Sequence, residues 1–185
     1  RIELRALHSF MANREALRDL QVRLASRLQA AKSEGLSVSS WLAIEAAGQF
    51  YLLPLGHAGE IFPRSVIQTV PYTQQWFLGV ANLRGGLVGV IDLAALLGNV
   101  QQRSEQLMAE TSLLALNPAL EVNAALLVDR LMGLRSIDAF VSSEPSAEDA
   151  PVFFGTTYLD SSGTRWQELN LQTLSQHPAF LSIRA

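Results

Sequence analysis

The feature that most restricts the fold of this 185-residue chain is the brevity of its apolar runs. From residue 41 onward each lasts roughly four to eight residues and stops at Gly, Pro, Asn, Asp or Ser, the signature of strands and turns rather than of a helical bundle. Residues 41–46 alternate, with Leu42 and Ile44 on one side and Glu45 on the other. Ala47-Gly48-Gln49 then forms a turn and residues 50–55 return as the second arm of a hairpin. Pro54 inside that arm argues for a sheet edge or a strand end. Residues 58–62 and 66–70 read as two further strands, punctuated by Pro63 and Pro71. Residues 77–81 and 87–91 read as a pair joined by a turn of several residues, Asn82-Leu83-Arg84-Gly85-Gly86. Strands are also expected over 112–116, 124–128 and 131–137, and a last hairpin over 152–159 and 165–169 across Asp160-Ser161-Ser162-Gly163.

Helices are the minor component. Residues 14–34 carry Leu17, Leu20, Leu24, Leu28 and Ala31 at spacings of three and four, one face of an amphipathic helix between an Asn13 cap and a Gly35 stop. That stripe docks either on its own domain or on a partner. Asp92 caps a short helix over 93–97 that ends at Gly98, and 171–174 begins another. Residues 99–110 read as loop or loose helix and 142–151 as an exposed loop. The pattern predicts a mainly β fold, a sandwich or barrels. No internal repeat is evident.

Composition narrows function. Hydrophobic residues make up 49% and charged residues 17%, the balance of a globular chain. The absence of cysteine removes disulfides, thiolate-bound metal and a thiol nucleophile. A net charge of −3 is a poor match for nucleic acid. No apolar run reaches the length of a membrane span, and the first residues lack the pattern of a secretory leader. These observations set the expectation of a soluble cytoplasmic protein with no direct membrane insertion.

No phosphate-binding glycine motif, dinucleotide fingerprint or nucleophile elbow occurs. His8, His57 and His177 are scattered, without metal-ligand spacing. Glu45, Glu60, Asp92 and Asp129 offer carboxylates, but nothing in the sequence selects a catalytic pair. A binding module with no cofactor and no metal is therefore the better expectation. The densest cluster of constraints is the segment 76–93, whose apolar strands flank a single charge, Arg84, in a glycine turn. That arginine is either incidental to a core hairpin or an anchor presented at an interaction surface.

Gly79-Val80-Ala81-Asn82-Leu83-Arg84-Gly85-Gly86-Leu87-Val88-Gly89-Val90-Ile91-Asp92-Leu93 resembles the hallmark run G-V-x-N-L-R-G-x-x-V-P-V-I-D-L of the CheW family of chemosensory coupling proteins, with Gly89 in place of the usual Pro. Phe50-Tyr51-Leu52-Leu53-Pro54-Leu55 followed by Glu60-Ile61, and the run from Ala124 to Gly133, are similar to flanking strands of that family. The leading helix, Trp41-Leu42-Ala43-Ile44 and the longish acidic loop tilt the resemblance towards PilI-type adaptors of twitching-motility systems.

The resemblance implies an N-terminal extension over 1–36 and a CheW-like domain over 37–185. That domain would comprise two small five-stranded β-barrels sharing a core, the first mostly from about 62–115 and the second from the two ends of the chain. It implies a non-catalytic scaffold that joins the cytoplasmic tip of a methyl-accepting chemoreceptor to the regulatory domain of a CheA-type histidine kinase, at the inner face of the membrane through receptor arrays. Weak self-association is a further expectation. The implied contact residues are Ala58, Glu60, Ile61, Asn82, Leu83, Arg84 and Gly85. Glu60 and Arg84 are expected to form a salt bridge between adjoining strands, and Ala58 and Ile61 to lie on the kinase-facing surface. Rival readings are a detached regulatory domain of such a kinase and a small-ligand-binding barrel.

Overall fold

A computed structural model describes residues 18–27, 40–100 and 102–185. The first hairpin is β1 (Ser40–Ala46) and β2 (Gln49–Pro54), turning through Ala47 and Gly48, both at positive φ. β3 (Ala58–Pro63), β4 (Phe77–Leu83), β5 (Gly86–Asp92), β6 (Ser112–Leu116) and β7 (Ala124–Val128) follow. The remaining strands are β8 (Arg130–Ser136), β9 (Phe140–Glu144), β10 (Phe154–Asp160) and β11 (Arg165–Leu169). Helices are a stretch over 18–27 (α1), Leu93–Leu96 (α2), Glu105–Glu110 (α3), Leu171–Gln176 (α4) and Pro178–Leu181 (α5).

The strands form two sheets, β8-β1-β2-β11-β10-β9 and β3-β6-β7-β5-β4. The mainly β expectation holds, and the chain's two ends do build one sheet. That sheet has six strands rather than five, and the other extends over 58–128 rather than about 62–115. No hydrogen-bonded ladder closes either sheet among the described residues.

Both sheets are nevertheless rolled. Trp41 on β1 and Phe140 on β9 lie four strand spacings apart, about 19 Å if the sheet were flat, yet their ring centroids are 6.0 Å apart. The roll explains why these strands are buried on both faces. Along β1, Leu42, Ile44 and Ala46 enter the large core shared by the two sheets, while Trp41 and Ala43 enter a smaller one inside their own sheet. Along β7, Ala124, Leu126 and Val128 face the shared core, and Ala125 and Leu127 a second small core. The period of two thus sorts side chains between two dry compartments rather than between core and water.

Several sequence expectations are corrected. The segment 66–70 is not a strand: only Gln68 bridges to Val80, and Val66 is exposed. The β4–β5 turn is shorter than expected, because Leu83 and Gly86 already pair. The stretch 142–151 begins inside β9, so the loop starts later. The polar stretch 99–110, expected as loop or loose helix, is a loop leading into α3, capped by Ser104. Asp92 caps α2 as expected, accepting from the Ala95 amide.

Of the N-terminal stripe, Leu24 is buried in the shared core and Leu20 is half exposed. Gln21 Nε2 donates to Ser112 Oγ at 2.8 Å, fastening α1 to its own domain. Leu17, Leu28, Ala31, Asn13 and Gly35 lie outside the described residues.

A candidate interaction site at a sheet seam

The β4–β5 hairpin turns through two residues, Arg84 (φ 51°) and Gly85 (φ 81°), the left-handed pair that a tight hairpin requires. Asn82 Oδ1 accepts from the Gly85 amide at 2.8 Å and rigidifies the tip. Leu83 is buried just beneath, in the small aliphatic core. Arg84 extends from this tip with 74% of its side chain exposed, and its Nη2 lies 2.5 Å from Glu60 Oε1 on β3. The guanidinium also sits over the Phe62 ring, 6.0 Å from its centroid.

The expected Glu60–Arg84 pair therefore exists, but not between adjoining strands. β3 and β4 are the opposite edges of the five-stranded sheet. The pair bridges the seam where the rolled sheet fails to close.

Ala58 and Ile61 depart from expectation. Both are buried in the shared core, Ala58 completely. A bulge between them in the β3–β6 register turns Glu60 outward while its neighbours face in. A free kinase-facing surface at Ala58 and Ile61 is thus replaced by a backing layer beneath Glu60. Ala58→Arg would place a guanidinium in the core.

Gly89 also has a physical reason to stand where the family pattern carries Pro. Its amide donates to the Asn123 carbonyl at 3.1 Å, a bond that Pro could not make. Asn123 Nδ2 in turn donates to the Leu87 carbonyl, tying the hairpin to the approach to β7.

A second cluster escaped the sequence reading. Arg103 is nearly fully buried and donates through Nη1 and Nη2 to both oxygens of Asp92, at 2.5 and 2.8 Å. Its Nε donates to Asp129 Oδ1 at 2.5 Å. Asp129 Oδ2 accepts the Ala47 amide at the β1–β2 turn. Hydrogen bonding to Asp92, then to Asp129, holds the guanidinium above its ordinary range against the opposing effect of burial. This clamp joins the end of β5, the β7–β8 junction and the first hairpin. It employs Asp92 and Asp129 as structural acceptors rather than as an acid–base pair. The signal in the sequence was two acids ending buried strands, each needing a counter-charge.

Elsewhere, Glu45 and Glu110 share Arg130. His57 Nδ1 is buried without a partner, and burial pushes its imidazole below the ordinary value, with Glu168 opposing. Among the described residues no three His, Asp or Glu side chains converge as a metal site, and no helix is long and apolar enough to cross a membrane.

Two rolled sheets around a shared core, with an exposed charged hairpin tip, define a β-fold presentation module. The CheW-like domain family model matches residues 40–179, and the chain belongs to that family. It is 30% identical over 171 residues to Protein PilI of Pseudomonas aeruginosa, covering 87% of this chain and 88% of that one. Its fold is similar to the crystal structure of scaffolding protein TtCheW from Thermoanaerobacter tengcongensis, with a TM-score of 0.62 at 18% identity, covering 77% of this chain and 96% of that one.

Proposed function

We propose that this protein is a non-catalytic adaptor that couples the cytoplasmic tip of a methyl-accepting chemoreceptor to the regulatory domain of a CheA-type histidine kinase, in a system controlling type IV pilus twitching motility. Membership of the CheW-like family and similarity to PilI support the reading. It acts at the inner face of the membrane through its receptor partner, with residues 37–185 as the coupling domain and 1–36 as an extension.

The observation that carries it is Arg84. A non-glycine residue in the left-handed region costs about 1 kcal/mol, and Asn or Gly would sit there more easily. The chain keeps a guanidinium at that strained, exposed tip and orients it with Glu60. Such a pair adds only about 0–1 kcal/mol to stability, so its value lies in presentation. Asn82, Gly85 and Glu60 form the contact surface with Arg84, over Leu83, Ala58 and Ile61.

The test is capture of a kinase regulatory domain and of a receptor hairpin by the full chain. Arg84→Asn should fold with an unchanged or higher Tm yet lose capture. Glu60→Arg and Arg84→Glu should each weaken capture, and the two together should restore part of it. Wild-type protein that captures neither partner in the tens of micromolar range would overturn the adaptor reading.

A further inference from the structure

We infer that the pocket between α1, the segment following β3, and α3 binds an organic phosphate, an activity separate from the adaptor role. The pocket encloses about 540 Å³, within the range of small-molecule sites, and is lined by Arg18, Gln21, Arg64, Ser65, Ile67 and Met108 among others. Arg18 and Gln21, one helical turn apart, face it from α1. The Gln21–Ser112 hydrogen bond and buried Leu24 fix that helix in place.

The charge is what distinguishes this pocket. Among the described residues, Arg130 divides itself between Glu45 and Glu110, and Arg103 between Asp92 and Asp129. Arg18 and Arg64 have no acidic partner there, although they line one cavity. Ser65 Oγ is buried with no hydrogen-bond partner, and turning this hydroxyl towards a ligand would gain a bond and break none. Two guanidinium forks match the nearly two charges of a phosphate monoester better than the single charge of a carboxylate. Ile67 and Met108 supply an apolar wall for the organic part.

The experiment titrates the ¹⁵N-labelled full chain with phenyl phosphate, inorganic phosphate and benzoate. Phenyl phosphate should give saturable shifts at the amides of 64–67 and 107–111 and bind most tightly of the three. Arg64→Ala and Arg18→Ala should each weaken it about tenfold. Arg165→Ala, whose exposed guanidinium pairs with Glu144 elsewhere, should leave it unchanged. The proposal is overturned by absence of saturation into the low millimolar range, by inorganic phosphate or benzoate binding as tightly as phenyl phosphate, or by Arg64→Ala binding as wild type does. Capture of the kinase domain is read separately, so failure here leaves that reading standing.

Discussion

The two sheets share one wiring diagram. In the five-stranded sheet the order β3-β6-β7-β5-β4 contains one parallel contact, β7 with β5. In the other, β8-β1-β2-β11-β10 repeats the pattern with β2 parallel to β11, and β9 is an addition at the edge. The chain order β3 to β7 corresponds to β8, β10, β11, β1, β2, the same circuit entered at a different point. Even the exit from the parallel strand repeats: Asp92 caps α2 after β5, and Asn170 caps α4 after β11. What differs is how each sheet covers its seam. The six-stranded sheet gathers Trp41, Phe140 and Tyr158 into a largely dry aromatic cluster. The five-stranded sheet fills its private core with aliphatic residues and bridges its seam with a wet ion pair. One topology thus yields one sheet committed to packing and one whose edge can present charge.

That contrast is broken most severely at Trp41. Trp41→Ala should cost about 3–5 kcal/mol in urea unfolding, because it empties the aromatic seam and removes the donor to Glu168 Oε1. Glu60→Gln, at the opposite seam, should cost no more than about 1 kcal/mol. Equal losses would show that the two seams are not different in kind.

The Arg103 clamp has no counterpart at neutral Asn170. Arg103→Met should cost about 3–5 kcal/mol by stranding two buried carboxylates. Adding Asp92→Asn and Asp129→Asn should recover most of that loss, since it gives this sheet the neutral cap already used by the other. A triple variant less stable than Arg103→Met would refute the equivalence.

Glycines sharpen the comparison on a smaller scale. Gly79 on β4 has φ 131°, and an added Cβ would lie 2.1 Å from the Gln68 carbonyl oxygen, a backbone atom. Gly79→Ala should destabilise by about 2 kcal/mol or more. At Gly155 on β10 the clash is with the Glu168 carboxylate, a side-chain end rather than backbone, so Gly155→Ala should cost about half as much, chiefly by loosening the carboxylate's bond to the Trp41 indole.

The smallest effects concern pH. Burial lowers the His57 pKa below its unfolded value of 6.5. The unfolded chain therefore binds more protons in this window, and stability is lost as pH falls through 6.5. His57→Gln should flatten the Tm profile there. Asp160 is held down to about 2 by Ser162 and then Trp166, so its contribution is present above 3.8 and fades as pH falls towards 2. Asp160→Asn should remove that lower step alone.

Strands bounded by Gly and Pro were legible because turn chemistry is local: Ala47-Gly48 and Asp160–Gly163 stand where the sequence put them. The run 66–70 departs from its apparent strand pattern because the chain there bridges to β4 only at Gln68, where Gly79 has no side chain to keep it away. The Glu60–Arg84 pair was legible through the resemblance, but its place across a seam depends on the roll of a sheet, which no local pattern encodes. The need of Asp92 and Asp129 for a counter-charge was legible, but not that Arg103 supplies it, because the two acids lie 11 and 26 residues away from it. The repeat between sheets survives only as Ile91-Asp92-Leu93 with Leu96 against Leu169-Asn170-Leu171 with Leu174, too short to stand out among apolar strands.

Because one sheet draws on both ends of the chain, the two halves of the molecule become foldable at different moments of synthesis. The strands from Ala58 to Val128 can complete their sheet once β7 has emerged, with β4 and β5 pairing first as a hairpin and β3 waiting only for β6. β1 and β2 emerge first but must wait for β11, more than a hundred residues later, before β2 gains its parallel neighbour. Until then the β2 edge is an open template for other chains, and the nascent protein is most vulnerable to mispairing there. Slowing elongation after Val128 should lengthen that exposure and raise aggregation, whereas slowing it before Ser40 should not.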